Sequence, residues 1–246
     1  MRFIDSHVHL CEYGERLSSL SLTFKSDTML LSSGIDKSTS LATLEIAKTE
    51  STLVRAFVGT HPSGAQKETD LEWFEGALLE AAGAGELGLD PKYSEVVPHS
   101  PQSTVFLQQL EGGERAGKPV QIHSRRAEKA CLEALTSYRV APVLMHWFEG
   151  EAELGEVRDR GYFVSFGPAV LHSKKLQRMA SRIDPARVLT ESDGPVAFGT
   201  LGGAGGPSLI PTVIFKLAEL WKETFSESEE RLLRNGLSYL GEGGKT

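Results

Sequence analysis

The sequence predicts an α/β fold, a single (β/α)8 TIM barrel occupying residues 1–246 as one domain. Three observations predict it. Eight short apolar runs alternate with longer amphipathic segments, the pattern of parallel strands joined by crossover helices. The chain is 246 residues long, the usual size of such a barrel, and contains no linker-like stretch before residue 199. Five of the runs end in His, Glu or Asp, where barrel enzymes carry their chemistry.

The expected strands are 2–9, 28–33, 53–59, 84–89, 119–123, 142–146, 162–166 and 187–191. Between them lie helical patterns at 40–47, 71–79, 104–116, 128–135, 151–160 and 173–180. A first helix over 12–26 is expected only from its place in the alternation, because the segment is rich in Ser and lacks a clear period. After the eighth strand the run 198–207 is half glycine and reads as a flexible loop, either a connector or a flap over the site. It is not a phosphate-binding P-loop, since no Gly-Lys-Ser/Thr follows. Two amphipathic stretches, 211–225 and 226–240, close the chain, and Ser226 with Glu229 suggests a capping box for the second.

A net charge of −7 argues against broad electrostatic adhesion to nucleic acid, although a bound cation can supply local positive charge. The only cysteines are Cys11 and Cys131, too few for a disulfide scaffold; Cys131 fits a buried helix face. No signal-peptide pattern or membrane-length apolar run is present, so a soluble cytoplasmic protein is expected, with no membrane association and no obligate protein partner.

Six residues of metal-ligand type close the apolar runs: His7 and His9, Glu86, His123, His146 and Asp193. Residues two apart in a strand share a face, so His7 and His9 enter the barrel mouth together and can bind one ion. Asp5, two residues earlier on that face, is placed to orient a ligand histidine or to support the metal site. Glu86, flanked by Gly85 and Gly88, has the reach to span two ions. His123 and His146, from the next two strands, are placed for the second ion. Asp193 comes from the last strand, which neighbours the first in a closed barrel, and completes the first ion. A mixed His and carboxylate set suits Zn, Mn, Fe or Mg, and two such ions activate water and stabilise charge on a scissile group.

Two further residues are candidates for substrate binding. His61, in Gly59-Thr60-His61-Pro62, is held extended by the following proline and is placed to donate to a phosphate oxygen or leaving group. Arg125, two residues beyond His123, fits a phosphate clamp. The ordinary readings are a satisfied loop histidine and a surface salt bridge. His99 and His172 lie in polar surroundings and read as solvent-facing.

These motifs resemble the TatD family of metal-dependent hydrolases, within the amidohydrolase-like barrels. The matching segments are 5–9 (Asp-Ser-His-Val-His), 59–62 (Gly-Thr-His-Pro), 85–90 (Gly-Glu-Leu-Gly-Leu-Asp) and 119–125 (Pro-Val-Gln-Ile-His-Ser-Arg). They continue through 146–150, 161–167 and 191–195, in family order; Arg234-Asn235-Gly236-Leu237 is similar to a C-terminal Asn motif. The resemblance implies a first ion on His7, His9 and Asp193, a bridging Glu86, and a second ion on His123 and His146. It implies catalytic roles for Asp193, Glu86 and His61, two divalent ions (Mg, Mn or Zn), and hydrolysis of DNA phosphodiesters. Three departures stand out: Trp147 replaces a usual Cys, Glu149 a usual Ser, and the glycine run a basic loop. They keep open hydrolysis of a small phosphoester, amide, lactone or aminoacyl ester at the same centre. A non-catalytic metal-binding protein is the remaining alternative.

Overall fold

The structure is a computed structural model that describes residues 2–17, 27–67, 71–198 and 203–242. Eight parallel strands form one sheet in sequence order: β1 (Phe3–Val8), β2 (Thr28–Ser33), β3 (Val54–Val58), β4 (Gly83–Gly88), β5 (Val120–His123), β6 (Val143–His146), β7 (Phe163–Phe166) and β8 (Val188–Thr190). The sheet curls into a nearly closed barrel. Its seam between β8 and β1 is closed by individual bonds: Thr190 Oγ1 donates to Ile4 O at 2.7 Å, Asp193 N to His7 O at 2.9 Å and His9 N to Gly194 O at 2.8 Å.

The helices are α1 (Lys37–Thr49), α2 (Glu72–Glu80), α3 (His99–Ala116), α4 (Glu128–Leu135), α5 (Leu154–Asp159), α6 (Lys174–Ala180), α7 (Ile210–Trp221) and α8 (Phe225–Tyr239). Asp36 begins α1 with a capping box to Thr39, and Gly117, at φ +60°, ends α3 in the left-handed conformation that glycine adopts without strain. The first expected helix shortens to a 3-10 segment, Leu10–Arg16, broken at Gly14; residues 18–26 lie outside the described residues. The last helix starts at Thr224, whose side chain pairs with Glu227, in place of the expected Ser226–Glu229 box. Part of the glycine run, where described, pairs as a short strand. Ala197–Phe198 (β9) pairs antiparallel with Gly203–Ala204 (β10), and Tyr13 Oη donates to Gly205 O at 3.1 Å; residues 199–202 lie outside the described residues. No helix among the described residues is long and apolar enough to cross a membrane.

Period-two alternation sorts each strand's side chains between two cores. Ala56, Val58, Val143, Met145, Val164 and Val188 face outward and pack under Phe74, Phe106, Leu132, Val157 and Leu217 of the helices. Ile4, Met29, Leu31, Phe57, Leu144, Phe163 and Leu189 fill the barrel interior, where the Tyr239 ring from α8 packs against Phe57 and Phe163. Two residues further along the same inward-facing rows come polar groups. Ser33 follows Leu31, Ser165 follows Phe163 and Glu191 follows Leu189, while Gln121 joins them from β5; all four are buried. His146 follows Leu144 in the same way and opens onto the mouth. The barrel is therefore layered from an apolar floor, through a polar middle, to a histidine- and carboxylate-rich top.

Asn235 fastens α8 to β8, with Nδ2 donating to Pro185 O and Val188 O, both at 2.8 Å. Asn235→Ala leaves one buried and one half-buried carbonyl short of a donor and is expected to destabilise the fold by about 1–3 kcal/mol. A urea midpoint equal to that of the unaltered protein would contradict this anchoring role.

Candidate metal centre

All six residues singled out at strand ends, together with His61, meet at the C-terminal mouth of the barrel. His7 Nε2 lies 3.2 Å from His9 Nε2, and both lie 3.6 Å from Glu86 Oε2. Asp193 Oδ1 is 3.7 Å from His7 Nε2 and 3.4 Å from His9 Nε2. The other Glu86 oxygen, Oε1, lies 2.5 Å from His123 Nδ1 and 3.5 Å from His146 Nε2. His146 sits nearer the first group than the pairing with His123 suggests: its ring stacks on His7 at 3.6 Å, while the His123 ring is 6.2 Å away.

The polar middle layer sets the proton positions. His7 Nδ1 donates to Gln121 Oε1 at 2.6 Å, an acceptor also held by Ser33 Oγ at 2.7 Å, while Gln121 Nε2 donates to Ser6 O at 2.9 Å. His9 Nδ1 donates to Ser33 O at 2.9 Å. His146 Nδ1 donates to Glu191 Oε2 at 2.7 Å, and the same oxygen accepts from Ser165 Oγ at 2.6 Å. In each neutral ring the Nδ1 proton leaves an Nε2 lone pair aimed at the mouth. With these rings neutral, three imidazole lone pairs and two carboxylates converge with no hydrogen-bond donor among them. Such a set is stable only around positive charge, so the residues fit divalent cations.

The titration of the cluster reflects the same demand. Burial lowers the pKa of His9, but its hydrogen bond with Asp193 and the charge of Glu86 prevail and push it up to about 9. Burial likewise opposes protonation of His146, and the Glu191 carboxylate overrides it, raising the value to about 10. Burial raises Glu86, yet the surrounding histidines hold it well below the ordinary carboxylate range. Without a cation the cluster recruits protons; a divalent ion replaces them.

His61 differs in kind. Ser63 N, a fixed donor, points at His61 Nδ1 at 3.1 Å, so Nδ1 is the acceptor and Nε2 carries the hydrogen. Burial pushes the pKa of this ring down to about 3, keeping it neutral. It lies close enough to Glu86 and His123 to complete a ligand triangle, but its protonated nitrogen faces the site. His61 presents a donor there.

Arg125 is committed to Asp90. Its Nε donates to Asp90 Oδ2 at 2.8 Å, its guanidinium lies over the Tyr93 ring at 5.5 Å, and a little under half of its side chain remains exposed on the pocket wall. Asp90 also accepts from His123 Nε2 at 2.8 Å. Burial raises the Asp90 pKa, but the bonds from His123 and Arg125 outweigh it and bring it to about 2. Asp5 behaves differently from expectation. It accepts from Ser192 N at 2.9 Å and His7 N at 3.4 Å, so it orients backbone and not an imidazole, and its Oδ2 is buried without a partner among the described residues.

Sequence reasoning assigned no role to Gln121, Glu191 or Asp90. Glu191 and Asp90 lie just beyond the ends of β8 and β4, while Gln121 is a polar residue inside the buried strand β5; a polar group in or next to a buried run is the signal that points to them. His99 and His172 are exposed and Cys131 is buried in α4, as the sequence suggests.

The centre lies at the bottom of a pocket of about 910 Å³. Lys92, Tyr93, Arg125, Trp147, Lys175 and Val196 also line it. Saturation with a suitable divalent cation at about 100 Kd is expected to stabilise the protein by about 2.7 kcal/mol, since the unfolded chain lacks the assembled site. That corresponds to a rise in Tm of roughly 5–10 °C. A melting scan with Mg, Mn and Zn salts against a chelator checks it; unchanged Tm in all three would count against a cation site.

A family model described as TatD related DNase matches residues 4–241. A Danio rerio protein provisionally named as the deoxyribonuclease tatdn3 is 26% identical over 219 residues, covering 78% of this chain and 80% of that one. A Haemophilus influenzae protein described as an uncharacterized metal-dependent hydrolase is 22% identical over 242 residues, covering 94% and 96%. Among solved structures, the TatD homologue YjjV of Escherichia coli superposes with a TM-score of 0.87 at 22% identity, over 97% of both chains, and shares the fold.

Proposed function

The chain belongs to the TatD-related family of metal-dependent hydrolases, and from that membership we propose that it is a phosphodiesterase acting on DNA through two divalent ions. The observation that carries the reading is the convergence of Nε2 lone pairs and carboxylate oxygens on the two sides of Glu86. His7, His9 and Asp193 would hold one ion with Glu86 Oε2; His123 and His146 would hold the other with Glu86 Oε1. Bound there, the ions supply Lewis-acid charge for the phosphoryl oxygens and lower the pKa of water.

The protein's own groups do the rest. The Asp193 carboxylate orients the attacking water and takes its proton. Burial raises the pKa of Asp193, but the His9 bond and the imidazole charges keep it below the ordinary value, so it stays ionised. His61 Nε2 donates to a phosphate oxygen or to the departing alkoxide. Arg125, fixed by Asp90 and Tyr93, turns its remaining edge towards the substrate backbone. Gln121, Ser33 and Glu191 keep the ligand histidines in one tautomer, and the pocket admits a strand end.

Incubation of cation-loaded protein with short single-stranded DNA, beside a panel of small phosphoesters, amides, lactones and aminoacyl esters, tests the reading. Release of nucleotides with steep salt dependence is expected. Turnover of a small ester alone would replace DNA as the substrate while leaving the hydrolase.

A further inference from the structure

We propose that Lys92 and Arg126 form a subsite for the phosphates that neighbour the scissile one, so that the pocket favours an oligonucleotide over a dinucleotide or a small phosphoester. The inference rests on the phosphodiesterase reading and deepens it by naming the length of chain the site takes.

Among the described residues, four cationic side chains line the pocket that holds the centre: Lys92, Arg125, Arg126 and Lys175. Two of them are committed. Arg125 donates to Asp90 Oδ2, and Lys175 Nζ lies 2.9 Å from Glu149 Oε2. The other two, Lys92 and Arg126, are exposed, and their side chains have no carboxylate or hydrogen-bond partner among the described residues.

Both stand on fixed backbone. Asp90 Oδ1 accepts from Lys92 N at 2.9 Å and caps the 3-10 turn Pro91–Tyr93. Gln102 of α3 grips the Asp90 main chain: Asp90 N donates to Gln102 Oε1 at 2.8 Å, and Gln102 Nε2 donates to Asp90 O at 3.2 Å. The second oxygen of the same carboxylate holds Arg125, and Arg126 follows it in the chain. Ala127 N closes a turn onto Ser124 O at 2.8 Å. Arg126 occupies the third position of that turn at φ +58°, a conformation that glycine or asparagine adopts with less strain. What arginine adds there is a cation on the pocket lining.

A protein of net charge −7 repels a polyanion at long range, so attraction has to be local. An unpaired cation keeps its charge for a ligand, whereas a carboxylate partner offsets it. Two unpaired cations in the pocket of a phosphate-hydrolysing centre match a phosphodiester chain, which carries one negative charge per nucleotide. A small phosphoester has a single phosphate, which the centre itself takes, and leaves both cations without a partner.

Cleavage of a thymidine hexamer and a thymidine dinucleotide tests this. The double variant Lys92→Ala with Arg126→Gly, whose glycine suits the turn, is expected to raise KM on the hexamer about 5- to 30-fold more than on the dinucleotide. The slope of log KM against log salt for the hexamer should fall by roughly 0.7 for each cation removed. The differential should vanish on a hexamer with one natural linkage and uncharged methylphosphonates elsewhere. Lys92→Arg with Arg126→Lys should restore the preference for the hexamer. Equal KM changes on hexamer and dinucleotide, or an unchanged salt slope, would overturn the proposal. Should the wild type cleave neither, the phosphodiesterase reading fails by itself. Anisotropy of a fluorescein-labelled hexamer, with chelator present to prevent cleavage, then decides the subsite. Weaker binding by the double variant supports it; equal binding, or none by the wild type, removes it.

Discussion

Asp193→Asn is expected to leave a folded barrel whose kcat on a phosphodiester is lower by about 10³-fold, within the range found for loss of a general base. The substitution preserves shape. Asp193 sits at φ +48°, a left-handed conformation that Asn tolerates equally well, and its backbone N–H to His7 O is untouched. What changes is electrostatic. Oδ1 stands 3.4 Å from His9 Nε2, and the amide removes a negative charge while putting N–H groups in place of an acceptor. It can neither take a proton from water nor help offset the charge of a bound cation. Circular dichroism, metal stoichiometry and kcat together check this. A kcat within threefold of wild type, with full cation content, would remove Asp193 from the mechanism.

Gly88→Ala produces the largest expected loss of stability. Gly88 pairs with His123 across β4 and β5 at φ +149°, a region in which L-residues are strained. A Cβ there would lie 1.8 Å from the His123 carbonyl oxygen and 2.8 Å from its carbon. Backbone cannot rotate aside as a side chain can, so the two strand ends must separate. Strain and overpacking together amount to about 3–5 kcal/mol, and Tm should fall by roughly 10 °C. Because Glu86 and His123 ride on those strand ends, cation-induced stabilisation should shrink in the same variant. A Gly88→Ala protein with unaltered melting and cation response would refute the close approach.

The barrel was legible because buried parallel strands are short apolar runs, and these runs end where polar residues begin. Each expected strand lies within a few residues of an observed one. Local pattern ran out where two answers were locally equivalent. Thr224–Glu227 and Ser226–Glu229 are overlapping capping boxes in one segment, and the placement of α8 against the barrel selects the first. The Ser-rich stretch after β1 had no period to read, and its described part forms a kinked 3-10 segment. At the site, residue types and strand ends brought the six ligand-type residues together on paper. The partners that set their tautomers were not visible, since Gln121, Ser33 and Glu191 acquire meaning only when inward-facing rows from different strands are stacked. Arg125 illustrates the same limit. Its spacing suggests a free clamp, but buried Asp90 claims part of its donor edge.

The seam between β8 and β1 has a kinetic consequence. Its bonds join groups 186 residues apart, such as Thr190 with Ile4, and the strands flanking it carry His7, His9 and Asp193. Contacts at such sequence separation close late, after the more local strand pairings have formed. The cluster of His7, His9 and Asp193 is therefore assembled in the same event that closes the cylinder, and a cation seated there would act as a rivet against reopening. Adding cation should slow amide exchange along β1 and β8 by a larger factor than along β7, which pairs with neighbours on both sides and carries none of the cluster's residues; equal factors would count against the rivet.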